Sequence, residues 1–142
     1  MRLDMNADIQ ELAQRALAEL EEFWRENVFA LLNTIVDPQN DFSQVAEFQA
    51  SLKELVDKKF IIINFREING KPEKKDEAES RSIADNLQEW FRFDESRAVW
   101  TLRNGDIKSA RIPQTILTPL GREKARAILT ERGYQWWRPR RR

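Results

Sequence analysis

The sequence predicts an α+β domain. Three observations carry that expectation. Apolar residues recur at spacings of three and four early in the chain. Two short runs in its second half alternate as strands do. A Thr-Pro pair and a glycine bracket a final helical stretch. With 142 residues, 41% of them apolar, the chain can supply one core without disulfides or metal.

Residues 7–36 read as one long helix or two abutting ones. Ile9, Leu12, Ala13, Ala16, Leu20 and Phe23 form its stripe, which continues less regularly through Val28, Leu31, Leu32 and Ile35. Asp37-Pro38 ends it, because proline disfavours helical geometry in the residue before it. A continuous helix of that length would run about 40 Å, longer than a small domain covers. Its first half is therefore expected to pack on a second copy, with Ile9, Leu12, Ala16, Leu20 and Phe23 as the contact. The competing arrangement lays the helix across its own domain. A second helix follows from Asp41 or Ser43 to about Lys59, with Val45, Phe48, Leu52, Leu55 and Val56 inward. Residues 60–65 read as a buried strand.

Asn69-Gly70 marks a turn. Glu77 to Leu87 resumes helical spacing, with Ala78, Ile83, Ala84 and Leu87 inward. Trp90–Phe93 and Ala98–Leu102 then alternate as two paired strands. Their aromatic residues are expected in the core rather than in a ligand cage. Residues 112–117 read as a third strand, which Pro113 would place at a sheet edge. Thr118 caps the last helix, Pro119 takes its first position, and Gly133 ends it. Three segments result: a dimerisation helix over 1–27, a domain over 28–133 and a basic aromatic tail over 134–142.

Composition excludes several chemistries. There is no cysteine and no histidine, so no disulfide, thiolate metal site, thiol nucleophile or Ser-His-Asp triad can form. The acids are scattered through helical stretches and mark no paired-carboxylate site, so the chain is read as non-enzymatic, with no cofactor and no metal. No apolar run is long enough to cross a bilayer, and the N-terminus lacks a signal-peptide core; the expected location is cytoplasmic. Basic and acidic residues balance at 24 each, so net charge alone does not mark a nucleic-acid binder. The charge is nonetheless uneven. Residues 1–30 carry three arginines against seven acids, and residues 122–142 carry eight basic residues against two acids.

The tail concentrates that basic charge beside aromatic rings. Tyr134, Trp136, Trp137, Arg138, Arg140, Arg141 and Arg142 are types that stack on bases and pair with phosphates. Two other readings stand beside this one. The tryptophans can fold back onto the domain, or the arginines can dock on an acidic protein surface such as the first helix of a second copy.

The run Ser51-Leu52-Lys53-Glu54-Leu55-Val56-Asp57-Lys58-Lys59-Phe60-Ile61 resembles the end of a winged-helix recognition helix leading into its first wing strand. Leu117-Thr118-Pro119-Leu120-Gly121-Arg122-Glu123-Lys124-Ala125 is similar to the start of the last helix in many bacterial winged-helix regulators. The likeness spans roughly 28–68 and 112–130. Two features depart from it: the stretch from Asp41 to Ile61 leaves a shortened or absent second helix, and Gly70 to Leu87 is inserted before the hairpin. The resemblance implies a winged-helix-like domain and a homodimeric DNA-binding regulator. Phe48–Lys59 would then read DNA. Gln49 and Ser51 would point to base edges, and Lys53 and Lys58 to phosphates, while Glu54 and Asp57 would oppose them. The alternative is a winged-helix module used only for protein assembly, which the neutral charge and the shortened helix favour.

Overall fold

A computed structural model describes residues 5–36, 42–65, 77–97, 99–103, 112–134 and 136–137. The fold is mixed α+β. In chain order come α1 (Met5–Phe23), β1 (Arg25–Asn27), α2 (Val28–Ile35), α3 (Phe42–Asp57), β2 (Ile61–Phe65), α4 (Glu77–Asp85), a 3-10 turn (Leu87–Trp90), β3 (Phe91–Asp94), β4 (Val99–Leu102), β5 (Pro113–Leu117) and α5 (Pro119–Arg132).

The long apolar stretch at the start is two helices separated by a strand. Trp24 breaks it, with φ at +78° in the left-handed region. The chain then extends through β1. Asn27 opens α2, its side chain accepting a hydrogen bond from the Ala30 backbone N–H at 2.8 Å. At 19 residues, α1 is about 28 Å long and fits along its own domain. It packs against α3 and α5. Its Ala16 and Leu20 are fully buried in that shared core. They are thus not on a surface that a second copy could touch, and a boundary after residue 27 does not separate two cores.

A three-stranded antiparallel sheet has the order β1-β5-β2. The strand at 113–117 is central rather than at an edge, and all five of its residues are buried. Pro113 is tolerated because it is the first residue of the strand, opposite Phe65 at the end of the ladder. Buried polar pairs fix the register: Gln114 Nε2 donates to Asn64 Oδ1 at 3.0 Å, and Thr115 Oγ1 to the Glu26 carbonyl at 2.8 Å. A second sheet is the β3-β4 hairpin, with Phe93 opposite Trp100 and Phe91 opposite Leu102.

The aromatic hairpin joins the core as expected. Phe91 meets Phe29 edge-on, centroids 4.9 Å apart, and Phe93 meets Trp100 at 5.3 Å. Asn33 on α2 pins the hairpin as a strand would. Its Nδ2 donates to the Trp100 carbonyl at 2.9 Å, and its Oδ1 accepts from the Trp100 N–H at 2.8 Å. Helix α4 closes the outer edge of β2 in a similar way. Ser80 Oγ accepts from the Ile63 N–H at 3.0 Å and donates to the Ile63 carbonyl at 2.9 Å. Ile83, Ala84 and Leu87 are inward as expected, but Ala78 is exposed.

The last helix follows its sequence signals. Thr118 Oγ1 accepts from the Gly121 N–H at 2.9 Å, Pro119 takes the first turn, and Gly133 ends the helix at φ +100°.

Candidate functional site

The outer face of α3 is the first candidate, and it is largely closed. Gln49 and Ser51, expected to point outward, are buried. Leu52, Leu55 and Val56 set the inward direction, and α4 covers an adjoining face. There the Gln49 amide donates to the Ala84 carbonyl at 2.8 Å and the Asp85 carbonyl at 2.7 Å, two of the acceptors that a helix C-terminus leaves unpaired. Gln49 also accepts from the Gln88 amide. Ser51 turns back on its own helix and donates to the Phe48 carbonyl at 2.7 Å. Neither side chain is available to a base edge.

The two lysines are exposed, as the phosphate-contact expectation requires, but each is paired. Lys53 Nζ lies 2.9 Å from Asp85 Oδ1 on α4, and Lys58 Nζ lies 2.8 Å from Glu54 Oε1. Arg81 of α4 pairs with Asp57 at 2.9 Å. This face therefore carries interleaved charges of both signs.

The C-terminal segment is the second candidate. Both tryptophans fold back on the domain. Trp137 is buried, and its Nε1 donates to the buried carboxylate of Glu19 on α1 at 3.0 Å. Trp136 is half-buried, with the Arg132 guanidinium 3.5 Å from its ring centre. Arg132 also grips α1, reaching Glu11 Oε2 at 2.8 Å and Gln14 Oε1 at 2.7 Å. Its hydrogen bond, aided by Arg15, holds the Glu11 carboxyl below the usual glutamate range. Trp137 is consequently a packing residue and not a base-stacking platform. Arg138, Arg140, Arg141 and Arg142 lie outside the described residues.

The third candidate was not legible in the sequence. Phe23 is 54% exposed and Trp24 48% exposed where α1 ends, and Leu120 is 51% exposed where α5 begins. Of the residues expected at a dimer contact, Phe23 reaches solvent, Ile9 and Leu12 are half-buried, and Ala16 and Leu20 are interior. A cleft of about 390 Å³ lies between Trp24 and the first turns of α5, lined by Leu117, Thr118, Pro119, Arg122, Glu123 and Arg126. Arg25 stacks on Trp24 with its guanidinium 5.1 Å from the ring centre. Arg122 and Arg126 both lean on the carboxylate of Glu21, at 3.4 and 3.1 Å.

Among the described residues no group of acids is arranged to hold a metal ion, and no helix is long and apolar enough to cross a membrane. The chain matches no family model, no curated protein and no solved structure in comparison with each.

Proposed function

We propose that this chain is a non-catalytic protein-interaction module on a winged-helix-like frame, one that does not read DNA. The order of the helices, the small antiparallel sheet and the Thr118-capped last helix support the frame. A single observation carries the functional part. Gln49, the side chain best suited to read a base, instead holds the C-terminal end of α4 through two carbonyls.

Magnitudes favour the closed face. Exposing α3 would break two hydrogen bonds worth about 1 kcal/mol each and uncover Ile83 and Leu87, worth about 2 kcal/mol each. The total is roughly 6 kcal/mol. Non-specific DNA binding at about 10⁻⁴–10⁻⁶ M amounts to roughly 5–8 kcal/mol. Displacing α4 would cancel most of that affinity.

Fluorescence anisotropy of the full chain with labelled random duplex and single-stranded DNA, between about 50 and 200 mM salt, tests the proposal. No binding at the lowest salt is expected. Steeply salt-dependent binding would overturn it and return the protein to the DNA-binding class.

A further inference from the structure

Helix α4 covers the outer edge of β2 at one residue and leaves an adjoining position open. The Thr118 N–H donates to the Phe60 carbonyl at 3.0 Å, and the Leu117 N–H is spent on the Trp24 carbonyl at 3.0 Å. Residues 60, 62 and 64 therefore bond to the β5 side, and Ile61 and Ile63 turn their backbone groups the other way. Ser80 Oγ takes both groups of Ile63, standing in for a peptide unit of a neighbouring strand. Among the described residues no group takes the N–H or the carbonyl of Ile61, although that residue is 2% exposed. Buried backbone groups are nearly always paired, so these two call for a donor and an acceptor side by side.

Ile61 borders a slot of about 190 Å³ between α3, β2 and α4, with Val56 and Ile62 as apolar wall and Lys59 and Glu77 in its lining. A single water needs only about 10–15 Å³, whereas a cavity of about 150 Å³ holds benzene. The slot thus suits a side chain better than one bridging water. Lys59 and Glu77 are exposed, and neither makes an ion pair among the described residues. One residue of an antiparallel strand exchanges both hydrogen bonds with the residue it faces. Traced back towards its start, a chain paired in that way with Ile61 runs into Ser80 at Ile63. The edge therefore has room for the start of a chain and not for its middle. That start lies at the Ser80 end, where Glu77, one turn earlier on α4, offers a carboxylate to an ammonium group. Followed onward, the chain leaves past Lys59, which favours an acid among its next residues.

We infer that this slot captures the free amino terminus of a partner protein whose first residue is apolar. That residue exchanges two hydrogen bonds with Ile61, its side chain takes the space beside Val56 and Ile62, and its ammonium joins Glu77. Strand addition at a sheet edge and capture of a terminal amine are both recurring modes of peptide recognition. The inference rests on the interaction-module reading and gives the partner its chemistry.

Nitrogen-correlated spectra of the full chain, titrated with the peptides Val-Asp-Gly-Ser-Gly, Leu-Asp-Gly-Ser-Gly and Met-Asp-Gly-Ser-Gly, test this. The Ile61 amide signal is expected to shift saturably with at least one of them, with a Kd of about 1 mM or tighter, the scale of two hydrogen bonds and one buried side chain. Acetylating the peptide amine should abolish that shift. Glu77→Gln should weaken binding about 5-fold, the upper range for an exposed ion pair. Glu77 is exposed, and the rest of the spectrum shows whether the variant keeps the parent fold. No movement of Ile61 with any of the three peptides at about 5 mM would overturn the inference. The module reading, which stands on the DNA titration, would survive that result. Equal binding of the acetylated peptides would overturn it in favour of a chain interior. An Ile61 signal that moves with protein concentration alone would overturn it in favour of a second copy.

Discussion

Gly121→Ala should destabilise the protein by about 2–4 kcal/mol, although glycine to alanine inside a helix ordinarily stabilises by about 1 kcal/mol. A Cβ at this position would sit 1.9 Å from the Phe60 carbonyl oxygen and 2.7 Å from its carbon. Normal contact between carbons is about 3.5 Å, so backbone must move by more than about 1 Å. The bonds at risk all meet at this corner. The Thr118 N–H donates to the Phe60 carbonyl at 3.0 Å, and Thr118 Oγ1 donates to the Lys59 carbonyl at 2.7 Å while capping Gly121 at 2.9 Å. Losing the cap costs about 1 kcal/mol, the backbone bond about 1, and the overpacking about 1–3, less the helical gain of about 1. Equilibrium urea unfolding followed by far-ultraviolet circular dichroism measures the difference. A variant within about 0.5 kcal/mol of the parent, or more stable than it, would refute the close approach of α5 to the β2 corner.

Three further outcomes follow from the same geometry. Leu20→Ala should cost about 3–5 kcal/mol and Phe23→Ala under about 1, because Leu20 is interior and Phe23 half-exposed; paired urea titrations check this, and equal costs would contradict the placement of α1. Trp24→Gly should be more stable than Trp24→Ala by about 1 kcal/mol, since both lose the ring and only alanine keeps the left-handed strain; an alanine variant at least as stable would place Trp24 in ordinary helical backbone. The Asp94 carboxyl, held down to about 2 by the Ser96 hydroxyl and then by Arg97, should titrate near that value in carbon-detected spectra and rise toward the ordinary aspartate value of about 3.9 in Ser96→Ala. Its folded value is depressed, so its contribution to stability is present above about pH 4 and is lost as pH falls toward 2.

The elements with strong local signals were legible. Thr118, Pro119 and Gly133 bound α5 through backbone geometry that those residue types impose by themselves. Alternation placed Phe91, Phe93, Trp100 and Leu102 on one face of the hairpin, although Thr101 between the last two is buried as well. The misreadings share a cause. Trp24 occupies a left-handed position without glycine's signature, so β1 was absorbed into a helix and the helix was made too long. The dimer expectation rested on that length, which α1 at 19 residues does not have. Pro113 signalled an edge strand, but only residue order within the ladder, a tertiary fact, shows that a first-position proline is compatible with the centre. Gln49 looked outward because α4, distant in sequence, supplies its acceptors, whereas Ser51 is buried with its hydroxyl turned back on the Phe48 carbonyl. Charge on the tail drew attention to the arginines, whereas the buried Trp137 finds its hydrogen-bond partner in Glu19, more than a hundred residues away.

The closure of α3 by α4 is tested most directly by the side-chain amide protons of Gln49 in a nitrogen-correlated spectrum, titrated with a short random duplex at about 50 mM salt. The account predicts slow solvent exchange, cross-peaks to Ala84 and Asp85, and no shift when DNA is added. Rapid exchange, or movement of the Gln49, Lys53 and Lys58 signals together on adding DNA, would contradict it.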